Sequence, residues 1–161
     1  GDIVGLDLGM KWESLFLDAA VTVGIGRISL QNQELINTAR EALAAAIKEA
    51  RVGKTTGDIG FATQNFVESR GFNVVRQLVG HGVGKAVHEE PQIPNFGKRG
   101  DGEKLKTGQV LAIEPMVTAG DWHLELAPDG FGYRTVDGSQ TAHFEHTVAV
   151  TKNEPIILTN L

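Results

Sequence analysis

Ile3-Val4-Gly5-Leu6-Asp7-Leu8 and Leu15-Phe16-Leu17-Asp18-Ala19-Ala20-Val21-Thr22-Val23 are two runs of strand-forming residues, separated by the turn-prone stretch Gly9 to Ser14. The spacing predicts an antiparallel hairpin. On the first strand Val4, Leu6 and Leu8 share a face, so Asp7 takes the other. On the second, Leu15, Leu17, Ala19, Val21 and Val23 share a face, and Asp18 lies opposite. Both aspartates therefore fall on the less apolar side, where they are predicted to meet across the ladder.

Outward from the hairpin the pattern changes to helical. Ser29 or Asn32 can cap a long helix running to about Arg51, with Leu35, Ile36, Ala39, Leu43, Ala46, Ile47 and Ala50 at helical spacing and Gly53 as its stop. Thr55 or Thr56 starts a second helix carrying Ile59, Ala62, Phe66 and Val67, which Gly71 ends. Strands are then predicted over Phe72–Val79, Gln109–Val117 and Ala142–Val150, with a polar loop over Lys98–Gly108 and a polar hairpin from about Gly120 to Gln140. Hairpin, two helices, then strands implies an α+β fold with the helices on one side of a curved antiparallel sheet. No internal repeat or low-complexity tract interrupts it.

The chain has 161 residues, 41% of them hydrophobic, enough for one domain with a core over residues 1–161. A net charge of -5 and a pI near 5.5 argue against a nucleic-acid partner. No apolar run is long enough to span a bilayer. Without cysteine there is neither a disulfide frame nor a thiolate metal site, and a reducing cytosol is the natural setting. The chain opens on Gly1-Asp2-Ile3-Val4 with no initiating Met, so it reads as the interior of a longer protein.

The chemistry concentrates in Gly80-His81-Gly82-Val83-Gly84-Lys85-Ala86-Val87-His88-Glu89-Glu90-Pro91, which sets two imidazoles on a glycine-loosened segment. Strands can carry Asp7, Asp18, Glu114 and Glu145 to the same point. Four carboxylates and one neutral imidazole carry a charge that two divalent cations would neutralise; without metal the acids would repel and some pKa values would rise. Burying them unpaired would be prohibitive. Oxygen-rich, nitrogen-poor ligands suit manganese, iron(II), cobalt or zinc, and the reaction class is metal-assisted hydrolysis by an activated water. A phosphate cradle at Gly80, Gly82 and Gly84 is excluded, because no Gly-Lys-Ser/Thr ending follows and Pro91 stands where a helix would be under way. His123 and Glu125 lie in the polar hairpin with no third ligand and read as surface. His143 and His146, flanking Glu145, read as supporting or packing groups.

Gly80-His81-Gly82-Val83-Gly84, His88-Glu89-Glu90-Pro91, Ile113-Glu114-Pro115-Met116 and Phe144-Glu145-His146-Thr147, with Asp7 and Asp18 before them, resemble type I methionine aminopeptidase along essentially the whole chain. The resemblance implies the pita-bread fold of the creatinase/aminopeptidase group, with the N-terminal half largely absent and the C-terminal two-thirds of the catalytic domain present. It implies that Asp18 and Glu145 bridge two divalent metals, that Asp7 binds one, and that His81 with Glu114 binds the other. Glu114 would also shuttle a proton, His88 would hydrogen-bond the substrate backbone, and Phe131 would form an aromatic wall of the substrate pocket. The implied activity is removal of the N-terminal methionine from nascent polypeptides by a cytoplasmic, ribosome-associated monomer. An X-Pro peptidase of the same fold and a truncated non-catalytic binding module are the alternatives. A missing N-terminal layer would leave apolar sheet surface exposed.

Overall fold

The computed structural model describes residues 1–159 and contains two helices and twelve strands. The hairpin is longer than the sequence pattern suggests. β1 (Ile3–Trp12) and β2 (Leu15–Gly24) pair in unbroken antiparallel register, and only Glu13 and Ser14 turn between them. Glu13 adopts a left-handed φ of 54° to close that turn.

α1 (Leu30–Ile47) starts where Ser29 Oγ accepts the Asn32 amide, and it buries Leu35, Ala39, Leu43 and Ala46. It ends about one turn before the predicted Arg51. From Glu49 onward the amides bond two or three residues back, and Arg51 leaves to bridge Thr151. Gly53, with φ of 90°, lies in the following turn and does not end the helix. α2 (Thr56–Glu68) opens with a reciprocal cap in which Thr55 Oγ1 accepts the Asp58 amide and Asp58 Oδ2 accepts that of Thr55.

The remaining strands are β3 (Asn73–Val74), β4 (Gly80–Gly82), β5 (Glu89–Ile93), β6 (Val110–Ile113), β7 (Met116–Thr118), β8 (Leu124–Leu126), β9 (Tyr133–Thr135), β10 (Thr141–His143), β11 (Glu145–Ala149) and β12 (Ile156–Ile157). The main sheet has the antiparallel order β1-β2-β11-β6-β4-β5, with β12 beside β11. A second sheet has the order β10-β7-β3, and β8 pairs with β9.

Three predicted strands are therefore shorter or divided. Phe72–Val79 shrinks to β3: the chain bends after Val75, and the Gln77 side chain there bonds both backbone groups of Leu124. Gln109–Val117 divides into β6 and β7 at Glu114-Pro115, where Pro115 lacks an amide for the ladder. Ala142–Val150 divides into β10 and β11 at Phe144, whose amide reaches the Pro115 carbonyl. The chain passes from the large sheet to the small one at the first break and back at the second, and both breaks border acids of interest.

Leu111, Ile113 and Val148 turn toward Leu35, Leu43 and Ile59 to form the core. The helices thus cover one face of the sheet, as the sequence predicts. α1 touches β2 but leaves much of the hairpin uncovered. Leu6, Leu8, Met10, Trp12 and Leu15 lie on the same side and are exposed. The opposite face carries the acids.

Candidate metal centre

Register alone brings the acids together. Asp7 pairs with Ala20, and Ala20 pairs with Glu145 on its other side. His146 pairs with Ile113, which sets Glu114, one residue past β6, beside Glu145. Asp7, Ala20, Glu145 and Glu114 thus form a row across four strands on one face. His81 joins that face through its partner Ala112. Asp18 pairs with Gly9, so it stands two residues along from Asp7's partner and meets that aspartate diagonally, not directly opposite. Ala20, buried in the middle of the row, leaves the space between the carboxylates open.

Ligand atoms of Asp18, His81 and Glu145 lie within 4.8 Å of one another, and all three residues are buried. His81 Nδ1 is 2.9 Å from the Gly82 carbonyl, which can only accept, so Nδ1 carries the proton. Nε2 then presents a lone pair, 3.4 Å from Glu114 Oε1. Two acceptors facing each other at that distance call for a cation or a proton between them. Glu145 makes the same demand: its Oε1 is buried with no hydrogen-bond partner among the described residues. Burial, and then the charges of Glu114, Asp18 and Asp7, push its carboxyl up to about 9. That carboxyl is neutral at pH 7 unless a cation replaces the proton. Asp7 is exposed but close enough to contribute to the shift. The donor set therefore fits divalent metal, supplied by oxygen and one imidazole nitrogen.

The glycines around His81 have a different role from the predicted loosening. Gly80 and Gly82 are buried in β4 between β5 and β6. A Cβ on Gly80 would lie 2.5 Å from the Ala112 carbonyl oxygen, and one on Gly82 would collide with the Glu90 backbone. They are glycine because neighbouring strands approach too closely for a side chain.

His88 is exposed on the chain leading into β5, its ring edge-on to His81 with centroids 4.4 Å apart. Phe131 stands at the tip of the β8–β9 connection and is 90% exposed. His123 and Glu125 form exposed pairs with Asp121 and Arg134, away from the acids. His146 turns to the other face, where Nδ1 meets Thr159 Oγ1. Three supporting residues carry no sequence signal: Thr147, whose hydroxyl ties β11 to β2, Thr22, whose hydroxyl ties β2 to His143 of β10, and Asn95, which donates to the Glu114 carbonyl at 3.1 Å. A threonine in a strand and an asparagine in a loop are too common to mark themselves.

A family model described as metallopeptidase family M24 matches residues 1–152. The chain belongs to metallopeptidase family M24. Its pita-bread fold is that of other M24 structures, with a TM-score of 0.98 and 49% identity to a methionine aminopeptidase from Thermotoga maritima. That match covers 100% of this chain and 65% of the other. A methionine aminopeptidase of Clostridium perfringens is 46% identical over 99% of this chain and 64% of its own length. A prolidase from Pyrococcus furiosus is more distant, with a TM-score of 0.80 and 25% identity over 100% of this chain and 42% of that one. The M24 chain described here thus spans about 65% of the length of the methionine aminopeptidases it matches. M24 membership implies divalent-metal binding, in keeping with the geometry.

Proposed function

We propose that this chain carries the metal centre of a methionine aminopeptidase, which hydrolyses the peptide bond after an N-terminal methionine. The carrying observation is the convergence of Asp18, His81 and Glu145, with Glu114 3.4 Å from His81 and Glu145 Oε1 without a hydrogen-bond partner among the described residues. Asp7, Asp18, His81, Glu114 and Glu145 would hold two divalent ions, with cobalt, manganese, iron or zinc all compatible with the donors. Bound there, the ions would supply Lewis acidity and a water acidic enough to react at neutral pH.

The chain's own groups supply the rest. Glu114 can take up a proton and deliver it to the departing amine, since its two oxygens are separately placed beside His81 and His143. His88, exposed at the rim, is set to donate to the substrate carbonyl as negative charge develops on its oxygen. Phe131 offers an exposed aromatic surface to a substrate side chain. Greater identity to methionine aminopeptidases than to the prolidase favours methionine over X-Pro substrates. No helix among the described residues is long and apolar enough to cross a membrane, and the low pI offers no basic face for nucleic acid. On this reading the enzyme would act on nascent chains in the cytoplasm, as a monomer near the ribosome.

The test is hydrolysis of Met-Ala and Ala-Pro peptides with manganese or cobalt present. Release of methionine, suppressed by a chelator, is the expected result. Release of proline without methionine would make the chain an X-Pro peptidase, and binding of either peptide without turnover would make it a binding module.

A further inference from the structure

The Glu114 carboxylate touches a second imidazole on the side away from His81. His143 Nε2 lies 3.3 Å from Oε2, while His81 Nε2 lies 3.4 Å from Oε1. His143 Nε2 is buried and makes no hydrogen bond among the described residues, so Glu114 Oε2 lies within its reach but not yet in hydrogen-bond alignment. Both ends of this contact are held from the backbone. The His143 amide donates to Thr22 Oγ1 at 2.8 Å, and the same hydroxyl donates to the His143 carbonyl at 2.9 Å. The Glu114 carbonyl accepts from Asn95 Nδ2.

A carboxylate free at both oxygens can chelate a cation through the pair, or it can offer one. An N–H donor on one oxygen removes that choice. We propose that His143 is a positioning residue whose Nε2–H holds Oε2 of Glu114, so that Glu114 offers only Oε1 to a divalent ion on the His81 side. This rests on the metal-centre reading above.

Cobalt(II) is the probe, because its affinity is read by calorimetry and its visible absorption weakens as coordination number rises. His143→Ala should bind cobalt about 10–100-fold more weakly, with weaker visible bands as Glu114 turns to chelate. His143→Gln, whose amide N–H can reach the same oxygen, should restore both affinity and spectrum. The unfolding midpoint of the metal-free protein should be alike in the two variants. Wild-type affinity and spectrum in His143→Ala, or failure of His143→Gln to restore them, would overturn the assignment. Asp18→Ala separates the two readings. If it abolishes cobalt binding while His143→Ala is silent, only the positioning role falls; if it too is silent, the metal centre is misplaced.

Discussion

Thr147 grips the backbone of Asp18 at both of its polar groups: its hydroxyl accepts the Asp18 amide at 2.8 Å and donates to the Asp18 carbonyl at 2.7 Å. Thr22 does the same to His143 from the other strand. The two clamps flank the Ala20–Glu145 pair, one on each side; Thr147 ties β11 to β2, and Thr22 ties β2 to His143 at the end of β10. β2 and β11, which each carry a carboxylate, are thereby held by threonine hydroxyls on both sides of the point where like charges push them apart.

Thr147→Val keeps the shape and leaves a buried amide and carbonyl of Asp18 without partners. One unsatisfied buried group costs about 1–3 kcal/mol, so the metal-free protein should lose at least about that much. Urea unfolding should show a lower midpoint at unchanged slope. Thr147→Ser, which keeps the hydroxyl, should recover most of the loss. An unchanged midpoint in Thr147→Val would show that the clamp contributes nothing.

Glu145 gives the metal-free protein an unusual response to pH. Its folded carboxyl, at about 9, is above its ordinary 4.5. Between those values the folded chain keeps a proton that the unfolded chain has released. Stability from this group is therefore whole below about pH 4.5 and declines as pH rises toward 9, by at most about 1.4 kcal/mol per pH unit. Unfolding in chelator should show lower stability at pH 8 than at pH 6, and Glu145→Gln should flatten the difference. Equal slopes in the two proteins would contradict the shift.

The same proton must leave when metal enters. Calorimetry at pH 7 in buffers of different ionisation heat should record about one proton released through Glu145, and a correspondingly smaller release in Glu145→Gln. Affinity should rise with pH up to about 9. Metal uptake insensitive to pH would place the ions elsewhere.

Gly82→Ala tests whether β4 needs bare backbone. The added methyl would meet the Glu90 backbone, which cannot rotate away. Overpacking of this kind costs about 1–3 kcal/mol, and His81 should shift with its strand. Thermal unfolding should fall by several degrees. A neutral substitution would restore the view of this segment as a flexible loop.

Much of this arrangement was legible in the residues. Alternation placed Asp7 and Asp18 on one face of a hairpin, because a side-chain period of two leaves no other choice. Both helix starts were legible to within two candidate caps, and the structure uses Ser29 rather than Asn32 and Thr55 rather than Thr56. The register was not legible: nothing in Leu15 to Val23 says that Asp18 opposes Gly9 and Ala20 opposes Asp7. The breaks at Glu114-Pro115 and Phe144 were half visible. Proline marks the first, whereas the second depends on a contact between distant strands. The threonine clamps, Asn95 and the His143 contact with Glu114 are tertiary relations of common residues, and no local pattern encodes them. Glycines 80 and 82 misled for the same reason, since a glycine required by crowding reads like one chosen for freedom.

Isothermal titration with manganese or cobalt of the wild-type chain, Asp18→Ala, Glu145→Ala and Glu125→Ala tests the metal centre most directly. The geometry predicts tight binding that Asp18→Ala and Glu145→Ala abolish or weaken by orders of magnitude, while Glu125→Ala, paired with Arg134 at the surface, binds as wild type. Equal loss in all three variants, or no binding by the wild-type chain, would contradict it.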